Sequence, residues 1–249
     1  MSAAAGLFES LFPPVCVSCS ITVRPGRAPL CGSCESRLRS MPGPACPRCG
    51  YTRFRDLSVE GRCAECADWP DELVRADSAF LFEPPAVRIV HGLKYAGWTS
   101  LAPRMGALMA PAARRLGTQD TVLVPVPLTP ARLRERGFNQ ARLLADGVGA
   151  ALGWRVEPLL CRVSTDRRQA RSGRRARALN VAGAYRVIAA GGSAGAAGPP
   201  DSACEVLLVD DVITTGATIA ACATALASCG VRCLGAVSFA RTPPGTPGG

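Results

Sequence analysis

At 249 residues with 48% hydrophobic content, the chain can build one ordinary domain and a smaller second one. Its formal net charge of +10 suits a polyphosphate or a nucleic acid and does not distinguish them. No apolar run approaches the ~20 residues of a membrane span, and the N-terminal stretch lacks a basic flank and carries Glu9, which excludes a secretory signal and makes a cytoplasmic protein the expectation.

Eight of the thirteen cysteines fall before residue 67 in four C-x-x-C pairs: Cys16 and Cys19, Cys31 and Cys34, Cys46 and Cys49, Cys63 and Cys66. The cytosol would keep such thiols reduced, so a disulfide framework is disfavoured and tetrahedral zinc is the expected occupant. Two knuckles complete a closed four-thiolate site, which is structural because no coordination position stays open. The spacing predicts two Zn2+ sites and leaves the pairing open between ribbons in series and an interleaved arrangement, series having the shorter loop closure. Eight thiolates around two zinc ions contribute four negative charges, so the loaded chain sits nearer ~+6. The double zinc ribbon is assigned to residues 12–70 and the following domain to 71–241.

Beyond that boundary the pattern predicts a strand over 78–82 and helices over 86–92 and 101–116. Next come a strand over 121–126, an amphipathic helix over 139–152 entered at Asn139, a strand over 206–209, a helix over 217–229 and a last strand over 231–240. Strands alternating with helices argue for an α/β fold with a parallel sheet. The Ala/Gly/Pro stretch 189–202 reads as a flexible loop and 242–249 as a disordered tail.

Three basic constellations lie along this domain. The first is H-G-L-K-Y-A-G, residues 91–97, which holds the chain's one lysine, Lys94, against 28 arginines, and its one histidine, His91. A compact ammonium kept where guanidinium is otherwise used suggests contact with phosphate or pyrophosphate, with chance as the alternative. The second, residues 124–141, runs from a proline-stopped strand into a turn bearing Arg132, Arg134 and Arg136; guanidinium forks fit pyrophosphate oxygens, although a solvated basic turn reads equally well. The third is the arginine-rich segment 167–180, with Gln169, Arg171, Arg174, Arg175, Arg177 and Asn180. It reads as a hood that excludes water from a reactive cation, as a site for single-stranded nucleic acid although stacking aromatics are missing from it, or as a solvated loop.

The most informative string is V-L-L-V-D-D-V-I-T-T-G-A-T, residues 206–218. Four apolar residues read as a strand buried on both faces. It is expected to end at two carboxylates, Asp210 and Asp211, ahead of a turn, Thr214, Thr215 and Gly216, and a helix opening at Ala217 and Thr218. Ligands of open parallel sheets collect beyond the carboxyl ends of the strands. Free N–H groups at the helix start favour a phosphate dianion, while carboxylates accept hydrogen bonds from vicinal hydroxyls, so the expected ligand is a ribose 5-phosphate unit. A Walker A loop requires a lysine that is missing here, and a dinucleotide fold places its ribose acid roughly 20 residues further on.

The string resembles the phosphoribosyl pyrophosphate (PRPP) signature of type I phosphoribosyltransferases. In fixed order, the double C-x-x-C ribbons, H-x-L-K-Y-x-G, V-P-V-P with R-G-F-N-Q, the segment Gln169, Arg174, Arg177 and Asn180, and D-D-V-x-T-T-G-A-T resemble the ComF family of competence-associated proteins over roughly residues 12–241. That resemblance implies a type I phosphoribosyltransferase fold, Mg2+ with PRPP, and a link to incoming single-stranded DNA in natural transformation, with DNA-uptake helicase or recombination-mediator proteins as partners. It further implies that Asp210 and Asp211 contact the ribose hydroxyls, that Thr214, Thr215, Gly216, Ala217 and Thr218 hold the 5-phosphate, and that Lys94, Arg132 and Arg136 meet pyrophosphate. Lys94, Asp210 and Asp211 are the expected catalytic residues of a pentosyl transfer whose acceptor the resemblance does not name. The alternative is a non-catalytic module that binds PRPP or single-stranded DNA.

Overall fold

A computed structural model describes residues 13–24, 26, 28–51, 63–163, 183–188 and 204–243. A short helix, α1 (Gly32–Ser36), lies within the cysteine-rich segment. The chain continues through β1 (Ala76–Leu81), α2 (Ala86–Tyr95), a 3-10 turn (Thr99–Leu101), α3 (Ala102–Arg114), β2 (Val122–Pro125) and α4 (Pro130–Arg136). Then follow α5 (Gln140–Leu152), β3 (Leu160–Arg162), β4 (Tyr185–Val187), β5 (Glu205–Ile213), α6 (Ala217–Ala227) and β6 (Arg232–Arg241). Four strands form a sheet in the spatial order β1, β6, β5, β2, and every neighbouring pair is parallel.

Cover on both faces explains the unbroken apolar runs of the central strands. Leu207 and Val209 share a buried cluster with Leu123 of β2, Val237 and Phe239 of β6, Leu93 of α2, Met105 and Met109 of α3, and Leu144 and Val148 of α5. Val206 and Leu208 turn the other way, into a cluster with Val124, Ile219, Cys222 and Leu226 of α6, and Leu160 and Tyr185 of the antiparallel β3–β4 hairpin. Each fully buried Leu or Phe side chain contributes about 1.5–3 kcal/mol. A mostly parallel sheet flanked by helices, preceded by four-cysteine zinc ribbons, is an α/β architecture consistent with a phosphoribosyltransferase-like fold.

The structure changes three sequence expectations. β5 does not stop before the acids: the long β6 pairs with it through Asp210↔Ser238, Val212↔Ala240 and Ile213↔Arg241. The arginine-bearing turn is helix α4, whose start is capped by the Thr129 side chain accepting from Arg132 N–H at 3.2 Å and whose end is Gly137 at φ +76°. The β3–β4 hairpin has no counterpart among the expected elements, and its two strands flank the arginine-rich segment. Gln169, Arg171, Arg174, Arg175, Arg177 and Asn180 lie outside the described residues, as do the stretch 189–202 and the tail beyond residue 243. Among the described residues no helix is long and apolar enough to cross a membrane.

Candidate functional site

The cysteines pair in series. Cys16, Cys19, Cys31 and Cys34 form one group and Cys46, Cys49, Cys63 and Cys66 the other, the ligand atoms of each lying within 4.8 Å of one another. Zinc–sulfur bonds of about 2.3 Å in a tetrahedron place sulfurs ~3.8 Å apart. The separations Cys46–Cys66 at 3.9 Å, Cys63–Cys66 at 3.8 Å, Cys49–Cys63 at 3.5 Å and Cys19–Cys31 at 3.6 Å fit that tetrahedron. These are two structural zinc-binding sites. The protein surroundings alone, through burial, push the Cys34 thiol up to about 12 and raise Cys49 and Cys66. For Cys46 the upward push of burial is outweighed by N–H donors from Cys49, Arg48 and Cys63, which bring it down to about 7. Zinc supplies the charge that keeps all four thiols ionised together.

The second ribbon reaches the carboxyl end of the sheet. Arg48 donates to the carbonyls of Cys66, Trp69, Pro70 and Leu73 and so fixes the segment after the last cysteine. Trp69 Nε1 then donates to the Thr215 carbonyl at 3.1 Å. The neighbouring Gly216 has φ +81°, and a Cβ there would stand 2.3 Å from the Trp69 ring, so glycine is required both by conformation and by space. Gly216 caps α6 with no side-chain hydrogen bond, and Thr215 Oγ1 accepts from Ala217 N–H at 3.4 Å. Thr214 and Thr215 are exposed, Ala217 and Thr218 half-buried. The turn therefore presents the Thr214 and Thr215 side chains to solvent at the start of α6, the positive end of the helix dipole.

The adjacent acids have different surroundings because side chains alternate along a strand. Asp210 lies toward α6, where its charge adds to burial in raising the Cys222 thiol and, after burial and Cys222, the Tyr185 hydroxyl, the latter to about 12. Its own carboxyl is pushed up to about 7, first by burial and then by Asp211, against the Asp211 N–H that donates to Oδ1 at 2.8 Å. Asp211 lies toward α2, and Lys94 Nζ meets its Oδ1 at 2.6 Å. Asp211 Oδ2 is buried without a hydrogen-bond partner, one of the few such atoms among the described residues. Lys94 is thus held by a carboxylate at the strand end.

Arg136 donates to Gln140 Oε1 at 3.0 Å and lies 5.3 Å from the ring of Tyr95, which is next to Lys94 in sequence. His91 meets the same ring edge-on at 5.4 Å. Arg132 stands exposed on α4. The structure thus brings Lys94 to Asp211 and Arg136 to Tyr95. Sequence reasoning misses Trp69, Arg241, Tyr185 and Tyr95; the first three show no local pattern, whereas Tyr95 sits inside the segment that carries Lys94.

A family model of the double zinc ribbon domain matches residues 7–67. The chain is 30% identical over 165 residues to the DNA utilization protein YhgH of Salmonella typhimurium, covering 64% of this chain and 68% of that protein. The protein of the same name from Escherichia coli K12 is 28% identical over 165 residues, with the same coverage. The chain belongs to the YhgH family. A match of 165 residues is longer than the ribbon segment, so the relationship to YhgH extends into the sheet-bearing part of the chain. A solved structure, TT1426 from Thermus thermophilus, is 18% identical, covers 59% of this chain and 86% of that one, and has a TM-score of 0.32.

Proposed function

We propose that this chain is a ComF-type, phosphoribosyltransferase-like protein that binds PRPP with Mg2+ and acts in DNA uptake and natural transformation. The observation that carries the reading is the end of β5: two acids, a Gly216 turn and an uncapped α6 start at the carboxyl edge of a parallel sheet. The name of the YhgH relatives supports the association with DNA.

In this reading Thr214, Thr215, Gly216, Ala217 and Thr218 hold the 5-phosphate through N–H groups and hydroxyls. Asp210 accepts from the ribose hydroxyls, and the unpartnered Asp211 Oδ2 supplies a second acceptor at the same strand end. Lys94, Arg132 and Arg136 would meet the pyrophosphate, their positive charge stabilising it as the bond to the anomeric carbon breaks. Mg2+ bound to PRPP would neutralise part of the pyrophosphate charge. The β3–β4 hairpin packs against α6 through Leu160 and Tyr185. Titrating Mg2+ and PRPP into the zinc-loaded chain is expected to show saturable binding that is lost in Asp210→Asn with Asp211→Asn. Pyrophosphate release above that double variant, over a panel of acceptors including DNA, marks an enzyme; equal release marks a binding module.

The second reading, binding of single-stranded DNA, is favoured by Tyr95. At 70% exposure it is the most exposed of the large apolar side chains among the described residues, with Arg136 over the ring and His91 at its edge. A base stacking on an exposed aromatic beside guanidinium is the recurring contact of single-strand binders, typically about 1–3 kcal/mol per base. Tyr95→Ala is expected to weaken binding of an oligothymidylate at fixed salt while leaving PRPP binding intact. Unchanged oligonucleotide affinity would remove this reading.

A further inference from the structure

Arg241 ends β6 and is 1% exposed. Its Nη1 donates to the Cys49 carbonyl at 2.8 Å, while Nε and Nη2 are buried without hydrogen-bond partners. The guanidinium lies 5.3 Å from the Tyr51 ring and 5.7 Å from the Trp69 ring, and no ion pair among the described residues includes it. Two aromatic faces and one carbonyl do not offset the desolvation of a full charge, so a buried cation in this position calls for a buried anion. The ligands next to it provide one: Cys46, Cys49, Cys63 and Cys66 are each at most 2% exposed, and four thiolates around Zn2+ carry a net charge of minus two. The first site has Cys19 exposed and Cys31 half-buried, so water can screen its charge.

We propose that Arg241 is the buried counter-cation of the second zinc–thiolate centre, and that Trp69 transmits the state of that centre to the Thr215–Gly216 turn. The path is short. Arg241 holds the Cys49 carbonyl on one side and flanks Trp69 on the other; Trp69 N–H donates to the Cys66 carbonyl at 3.1 Å, and its indole Nε1 donates to Thr215. With zinc in place the dianion fixes Arg241, and the indole supports a glycine turn that leaves no room for another side chain. Without zinc the guanidinium is an unpaired buried charge that must find water, and the support of the turn goes with it. Arg241 is thus a positioning residue for the zinc site, and the candidate phosphate turn is linked to metal occupancy. The zinc half of this inference is independent of the PRPP reading.

The test uses the full zinc-loaded chain with the variants R241M, R241K and W69F. Zinc release to a chromophoric chelator and amide exchange over residues 214–220 are the two readouts. R241M is expected to weaken one of the two bound zinc ions by about 10–100-fold, as outer contacts of metal sites typically do, and to speed exchange at the turn. R241K keeps the charge without the planar fork and is expected to recover most of the zinc affinity, which a purely space-filling role would not allow. W69F is expected to hold both zinc ions and still show faster exchange at the turn. Wild-type chelator resistance in R241M overturns the counter-cation; unchanged exchange in W69F overturns the relay. Should R241M fail to fold, loss of zinc from R241K equal to that of a cysteine variant of the second site overturns the proposal as well.

Discussion

The two zinc ribbons use the same four-cysteine chemistry and are built into the protein in different ways. The first has a small core of its own, Cys16, Val23 and Cys34 with Leu30 against them, and rests on the outside of α2, where Val17 meets Gly92 and Arg88 donates to the Ser18 carbonyl at 2.6 Å. An ion pair between Arg104 and Glu35 adds a contact with α3. The second belongs to the main core, with its cysteines, Trp69 and Leu73 in the same cluster as β5 and α6. Each ribbon therefore supports one wall of the candidate site: the first lies behind the helix that carries Lys94, the second behind the Gly216 turn. Ligand identity sets what the metal is, while burial and neighbours set what it does.

The comparison breaks most visibly at the ligands. Cys49→Ser is expected to release the second zinc, lower the melting temperature more than Cys19→Ser, and abolish PRPP binding. Cys19→Ser is expected to release one zinc and leave PRPP binding in place; metal analysis with calorimetric titration reads both outcomes. Next in size is Lys94→Met, which leaves Asp211 buried without its partner and is expected to cost about 3–5 kcal/mol in denaturant unfolding. Adding Asp211→Asn should return part of that loss, as a double-mutant cycle would show.

The two glycine contacts give a matched pair. Gly216→Ala adds a left-handed backbone penalty to an overlap with Trp69 and is expected to cost about 2–4 kcal/mol. Gly92→Ala on the helical α2 overlaps the Val17 Cγ2 methyl and otherwise meets side chains at ordinary contact distance, so about 1–3 kcal/mol is expected, with the effect on PRPP binding smaller than that of Gly216→Ala. A separate expected effect is on pH dependence. Burial and Asp211 push the Asp210 carboxyl up to about 7 against 3.8 ordinarily, so the folded state binds the proton more tightly than the unfolded one. Its contribution to stability therefore falls between about pH 4 and 7 and is level above that window. Asp210→Asn should remove this slope, and Mg2+–PRPP affinity of the unaltered chain should rise from pH 6 to 8 as the carboxylate becomes available.

Much of the second wall was legible in the chain. Four apolar residues, two acids and a Thr-Thr-Gly turn mark β5 and the start of α6, and Asn139 marks the start of α5 by accepting from Ala141 N–H at 3.0 Å. The C-x-x-C spacing located the ligands and favoured the series pairing only weakly, because loop-closure costs differ little between series and interleaved arrangements. Helix α4 escaped because none of its residues is buried, so no apolar period reveals it, although Thr129, Pro130 and Gly137 bracket it as cap signals. The β3 and β4 strands are three residues each, too short for alternation to register. Arg241 follows the expected last strand with no local pattern to mark it; only the packing of Tyr51, Trp69 and the second ribbon around it makes it a buried cation.

The most direct measurement of the central claim is a crystal structure of the zinc-loaded chain with Mg2+ and PRPP. The account predicts the 5-phosphate on the N–H groups of Gly216, Ala217 and Thr218, the ribose hydroxyls at Asp210, and pyrophosphate toward Lys94 and Arg136. A phosphate seated elsewhere, or a β5–α6 turn that stays empty at saturating PRPP, would contradict it.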